Sequence, residues 1–422
     1  MNLHGAVRRY HGLDVLRGGM MLLGVLLHAA CSFMPGEPDA GWPFRDAPGS
    51  PIAGLLVVAI HAFRMPVFFV MAGFFGAMAE ERRGPGGLLA DRARRIGLPL
   101  IVGWVLLFPL IKCSVMFAWL LRGGMTFGQA IAGAAGALRT PWSDPSPAHL
   151  WFLWYLLPMY LVAAALAALM RILPTERRFA MGDRLAGVLL GTGPRARRGW
   201  RLAVLVAVTW ALLVPMRGPG FDTPGSWILE PRILAAYGFF FAVGWLMHVH
   251  RGVVAELEHG AWRRSFAAAA AVFLATVLVA TAHGAGSAGS AGASLAMPNL
   301  GSMPTGSVPS PTPFMRFLAQ GATALAAWLT ALAGIGLTER LFRRPIRPVR
   351  WLVDASYWTY LVHLPLCFAA AGLASTIAAS PIIKVVAVTA AVSVACGLSY
   401  AAVAAVVPAR RPGAPAPPSA HA

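Results

Sequence analysis

Three side chains suited to acid–base and anion chemistry share one otherwise apolar stretch, D-V-L-R-G-G-M-M-L-L-G-V-L-L-H at residues 14–28. Arg17 and His28 are eleven residues apart. Eleven helical steps of about 100° leave an offset of only about 20°, so both project from one face, about 16 Å apart along the axis. An imidazole so placed can act as a general base, and a guanidinium can hold an anion. The plainer alternative is an ion pair of Asp14 with Arg17 at i, i+3 and a core histidine bonded to neighbouring backbone.

Three further stretches repeat the pattern of costly polar groups inside apolar runs. In H-A-F-R-M-P-V-F-F-V-M-A-G-F-F at 61–75, His61 and Arg64 share a face, and Pro66 is expected to kink the helix beside them. A guanidinium this deep needs an anion, a carboxylate or carbonyls, including carbonyls freed by such a kink. In S-Y-W-T-Y-L-V-H-L-P-L at 356–366, Ser356, Tyr360 and His363 fall at i, i+4 and i+7 and line one face. That stripe suits either a polar cavity or ordinary interhelical hydrogen bonding. The basic runs D-R-A-R-R-I-G-L-P at 91–99 and R-L-F-R-R-P-I-R-P-V-R at 340–350 offer arginine forks for phosphates, with Arg94 and Arg95 the preferred pair. Most such arginines, taken singly, need no ligand. His149 opens H-L-W-F-L-W-Y-L-L and suits an interfacial aromatic belt or the lid of a substrate cavity. Glu230, before Pro231 and Arg232, has the same two readings, since an acid and a proline are normal at a helix start.

The elements that must position these groups follow from composition. Of 422 residues, 58% are hydrophobic and 12% charged, with mean hydropathy +0.65, whereas soluble domains are roughly a quarter charged. The chain is an all-α polytopic membrane protein. Its net charge of +19 comes from arginines between apolar runs, which argues for topology and against nucleic-acid binding. The cysteines at 31, 113, 367 and 396 lack ligand or redox spacing, so neither a disulfide framework nor a zinc site is supported.

Apolar runs of bilayer-spanning length fall at 13–34, 52–78, 96–121, 149–170, 201–216, 232–249, 264–283, 317–339, 352–373 and 382–407, giving ten expected helices. The fifth is the shortest. Of the 35 Lys and Arg residues, 25 fall in one alternating set of loops and termini and 7 in the other, which fits ten spans with both termini cytoplasmic. The first span is read as retained rather than as a cleaved signal. Residues 1–407 form one transmembrane domain, with an external Gly/Ser/Ala/Pro-rich linker at about 284–316. Residues 408–422 read as a disordered cytoplasmic tail.

The Arg17-x10-His28 spacing, the F-R-M-P-V-F-F-V-M-A-G-F-F block, the R-R-I-x-x-P entry to the third span, H-L-W-F-L-W-Y and S-Y-W-T-Y-L-V-H-L-P occur in order from residue 14 to 365. Together they resemble the acyltransferase-3 family of bacterial membrane proteins, most closely its branch that modifies periplasmic glucans. The resemblance implies a ten-helix enzyme of the inner membrane that moves an acyl group, such as acetyl or succinyl, from cytoplasmic acyl-CoA to a hydroxyl of an extracytoplasmic carbohydrate. It matches Arg17 and His28 to the family's essential pair, Arg64 to its second-helix arginine, and Arg94 and Arg95 to its basic entry to the third helix. His149 and His363 fall in family blocks without an assigned role. Acyl-CoA is then a co-substrate and no cofactor is tightly bound. With 15 residues after position 407, a second-stage transfer would need a separate periplasmic partner.

On these expectations, inner arginines hold the CoA phosphates and the thioester arrives beside His28. His28 then takes the proton of the attacking hydroxyl, while Arg64 or a polar group of the ninth helix stabilises the oxyanion. An acyl-histidine stage is equally compatible with the sequence. The competing classes are a multi-pass transporter or exporter, which also uses buried Arg and His and broken helices, and a structural membrane subunit, which leaves Arg17, Arg64 and His28 unexplained.

Overall fold

The computed structural model describes residues 10–39, 41–140, 142–190, 198–258, 267–268, 312–344 and 346–406. Helices alone make up its regular structure among these residues, in the order α1 (His11–Cys31), α2 (Pro51–Arg92), a π-helical turn (Ala93–Gly97), α3 (Leu98–Arg122), α4 (Phe127–Ala135), α5 (Trp151–Met170), α6 (Thr175–Leu189), α7 (Arg198–Leu213), α8 (Pro231–Val249), α9 (Gly252–Glu256), α10 (Pro313–Leu341), α11 (Arg347–Ser375) and α12 (Pro381–Val406). Short 3-10 turns occupy Gly136–Arg139 and Ala148–Leu150.

Seven helical segments among the described residues are long and apolar enough to cross a membrane. One of them, Pro51–Arg122, is 72 residues long and carries both α2 and α3, two of the expected spans. The expected fifth span is α7, whose apolar part, Trp200–Leu213, is too short to count. The seventh, at 264–283, lies outside the described residues except for 267–268, as do most of the 284–316 linker and the tail from 407. Ten spans are therefore not counted among the described residues.

Outward faces are apolar, as a lipid-facing surface requires: Leu106 is 61% exposed on α3, Leu161 59% on α5 and Leu398 67% on α12. The chain is a multi-pass membrane protein.

Helix α1 is the hub of the site, packing on α2, α10, α11 and α12. Its first-turn amide at Leu13 donates to the carboxylate of Glu339 on α10 at 2.8 Å, so an orphan helix-end donor is satisfied from a distant element. Helices α2 and α8 cross closely at Gly73 and Gly244, where an added Cβ would fall 1.9 Å from Phe241 O and from Val70 O respectively.

At Pro66 the backbone of α2 keeps helical dihedral angles. Non-helical backbone inside α2 occurs instead at Gly84 (φ 72°, ψ 176°), directly before Pro85. That conformation is accessible to glycine, and the following proline removes the amide that would continue the ladder. Helix α2 thus runs unbroken past Arg64 and extends well beyond residue 78, where the apolar run ends.

Candidate active site

The geometry centres on His28, in the last turn of α1, and His363, mid-way along α11. His28 Nδ1 and His363 Nε2 are 2.8 Å apart. Their ring planes differ by 4° with centroids 4.9 Å apart, the arrangement of two imidazoles joined edge to edge by one in-plane hydrogen bond. His363 is fully buried, and its Nδ1 lies 2.8 Å from Tyr360 O and 3.0 Å from Thr359 O. Carbonyl oxygens only accept, so the His363 proton sits on Nδ1 and its Nε2 carries the lone pair. His28 must then donate from Nδ1, which leaves its Nε2 as an open base. The backbone of α11 fixes the tautomer of a histidine on α1.

Arg64 enters from α2. It is 5% exposed, and its Nε donates to Met20 O of α1 at 2.9 Å. The carbonyl it meets therefore belongs to a neighbouring helix and was not freed by a kink in its own. Gly24 makes this approach feasible, because a Cβ there would lie 2.4 Å from Arg64 Nη2. Gly24 is one turn, about 6 Å, before His28 on α1. No carboxylate pairs with Arg64 among the described residues. A buried guanidinium without a counterion, one turn from an open imidazole nitrogen, suits an anion that forms there.

His149 sits in the 3-10 turn before α5 and is 8% exposed. Its Nε2 donates to Leu361 O at 2.9 Å, and the Tyr360 hydroxyl donates back to His149 O at 2.9 Å. This reciprocal clasp holds the His149 ring edge-on to His363, with centroids 5.3 Å apart at 86°. His149 Nδ1 is buried without a hydrogen-bond partner.

Beyond His28 the connection between α1 and α2 folds over the site. Trp42 packs against His28 at 5.2 Å and Phe368 at 4.5 Å, and its Nε1 donates to Ser32 Oγ at 3.1 Å. The segment is held by Asp46 N to Ser32 O at 2.8 Å and by a buried ion pair of Asp46 with Lys384 of α12 at 2.8 Å.

At the other end of α1, Arg17 pairs with Asp14 at 3.3 Å and lies over the Phe75 ring at 5.4 Å. It also lines a cavity of about 110 Å³ with His11, Asp14, Arg344, Arg350 and Asp354. Arg344 is exposed and makes no ion pair or hydrogen bond among the described residues. Arg94 and Arg95 do not line this cavity; both are exposed in the π-helical turn, and Arg95 pairs with Asp91 at 3.1 Å. Nearby Arg92, from the same run, donates to Phe75 O at 3.2 Å and stacks over Tyr160 at 4.8 Å.

Of the other residues singled out in the sequence, Tyr360 and His149 join the cluster and three do not. His61 Nε2 donates to Phe221 O at 2.9 Å. Ser356 Oγ donates back to Val353 O at 2.7 Å, a local helix bond. Glu230 is bound to Arg232. Sequence reasoning missed Trp42, Phe368 and the Leu361 carbonyl, because an apolar ring and a backbone oxygen carry no signal of their own.

Residues 10–402 match the acyltransferase-3 family, described as an acyltransferase domain. Over 107 residues the chain is 34% identical to Glucans biosynthesis protein C of Escherichia coli (strain K12), covering 25% of this chain and 26% of the relative. Over 99 residues it is 33% identical to Glucans biosynthesis protein C of Salmonella paratyphi B, covering 24% and 25%. These alignments span about a quarter of the length of the curated relatives. No solved structure matches the chain. A match over nearly the whole length, on a helical membrane bundle that joins two histidines inside it, means that this chain belongs to the acyltransferase-3 family of membrane acyltransferases.

Proposed function

We propose that the protein is an O-acyltransferase of the bacterial inner membrane that moves an acyl group, acetyl or succinyl, from cytoplasmic acyl-CoA to a hydroxyl of an extracytoplasmic glycan. The observation that carries this is the His28–His363 bond beside an uncompensated Arg64 inside a membrane bundle. The glycan acceptor rests on the likeness to proteins named for glucan biosynthesis. The arginine bias among loops assigns the Arg17 end to the cytoplasm.

In this reading the cavity of Arg17, Arg344 and Arg350 receives the phosphates of CoA, with Arg94 and Arg95 as a second set outside it. The pantetheine arm runs along α1 for the roughly 16 Å that separates Arg17 from His28. The acceptor hydroxyl gives its proton to His28 Nε2 as its oxygen attacks the thioester carbonyl carbon. The carbonyl oxygen takes the negative charge beside Arg64. The C–S bond then breaks, the ester remains on the glycan, and the CoA thiolate takes the proton from His28. His363 holds the imidazolium in orientation throughout.

Purified protein incubated with radiolabelled acetyl-CoA or succinyl-CoA and a cell-envelope glucan fraction tests the proposal. Label in base-labile ester linkage to glucan is the expected result. Solute flux across vesicles without any acyl ester would select a transporter instead.

A further inference from the structure

We propose that His149 Nδ1 is an acceptor-side subsite that binds a second, non-reacting hydroxyl of the carbohydrate. This rests on the acyl-transfer reading above. Because His149 Nε2 spends its proton on the Leu361 carbonyl, Nδ1 of the neutral ring is a lone pair. It is buried and unpartnered, which is costly unless a donor is supplied. What fills it must present an O–H or N–H.

Depth decides which. Leu361 stands eleven residues along α11 from Arg350, just as His28 stands eleven along α1 from Arg17. Both steps rise about 16 Å, so His149 lies level with His28 and far from the cavity that Arg17 and Arg350 share. A donor entering from the Arg17 end has delivered its thioester once it reaches His28. Groups at His149 therefore meet the acceptor. His149 and His28 both lie against His363, at 5.3 and 4.9 Å between centroids. On this assignment one sugar ring offers its reacting hydroxyl to His28 Nε2 and another hydroxyl to His149 Nδ1. The clasp with Tyr360 and Leu361 makes the subsite rigid, as a specificity element requires.

The test uses full-length protein in nanodiscs, acetyl-CoA and succinyl-CoA as donors, and methyl β-D-glucopyranoside with its monodeoxy analogues as acceptors. For the wild type, deleting one hydroxyl other than the acylated one should lower kcat/KM on the order of tenfold. In His149→Gln, whose side-chain amide still reaches Leu361 O but offers no acceptor at the Nδ1 position, that penalty should vanish while KM for the donor holds. His149→Asn, which keeps an oxygen near Nδ1, should restore part of it. A deoxy penalty that persists in His149→Gln, as when water fills the position, overturns the subsite. So does a change confined to the donor KM, which would mark a pantetheine amide as occupant. No transfer by the wild type with either donor overturns the acyl-transfer reading itself, and the subsite with it.

Discussion

His28 donates from Nδ1 to Nε2 of His363 over 2.8 Å, and His363 in turn donates from its own Nδ1 to the carbonyls of Tyr360 and Thr359. The chain of donors ends in the α11 backbone, which cannot rotate. This makes the orientation of one imidazole a property of a helix 335 residues away in sequence.

His28→Ala should lower acyl transfer by about 10²–10⁴-fold, the usual worth of a positioned base, with protein still recovered from membranes. His363→Ala should cost about tenfold or more in kcat at unchanged donor KM. The double variant should be no worse than His28→Ala, since the two act as one unit. Multiplicative losses in steady-state rates would separate their roles.

Arg64→Ala should reduce kcat by about 10²–10³-fold, as loss of one oxyanion donor does elsewhere. Arg64→Lys should recover little, because an ammonium cannot hold Met20 O and still reach the carbonyl. Gly24→Ala should resemble Arg64→Ala in rate, since the new methyl would occupy the place of Nη2. Full activity in Gly24→Ala, measured with labelled donor, would remove Arg64 from the mechanism.

Arg344→Ala and Arg350→Ala should raise KM for acyl-CoA several-fold each with little change in kcat, as expected for uniform binding of a remote phosphate. Arg94→Ala with Arg95→Ala should do less, since neither lines that cavity and Arg95 is held by Asp91 at 3.1 Å. Equal effects in a donor titration would make both sets part of one entry funnel.

Trp42→Ala should raise acyl-CoA hydrolysis in the absence of glycan, because the ring that covers His28 would be replaced by water. Free CoA release followed with a thiol reagent checks this. A rate equal to that of the wild type would mean that Trp42 does not control water entry.

Much of this site was legible from spacing, and the remainder was hidden for physical reasons. The 20° offset between Arg17 and His28 is a helical property, so their shared face could be read directly. The partners of His28 could not, because His363 and Trp42 reach it through tertiary packing. Ser356 shared the polar stripe of Tyr360 and His363, yet a hydroxyl can satisfy itself on its own helix, and it does so at Val353 O. Pro66 carried the sequence signal for a kink, while the non-helical dihedral angles of α2 fall at Gly84, where a positive φ directly precedes Pro85. Arg344 and Arg350 were visible as a basic run, while their convergence on Arg17 depends on how α11 packs against α1.

On the proposed function, a bundle that receives one reactant from each side of a membrane is also a potential electrical shunt. Each elementary charge that crosses a potential of 100 mV dissipates about 2.3 kcal/mol. On such a route the buried guanidinium of Arg64 would set a positive barrier, and the Trp42 ring, pinned by Ser32, would stand between His28 and the far side. The same groups that serve the chemistry would keep the bundle an insulator between turnovers.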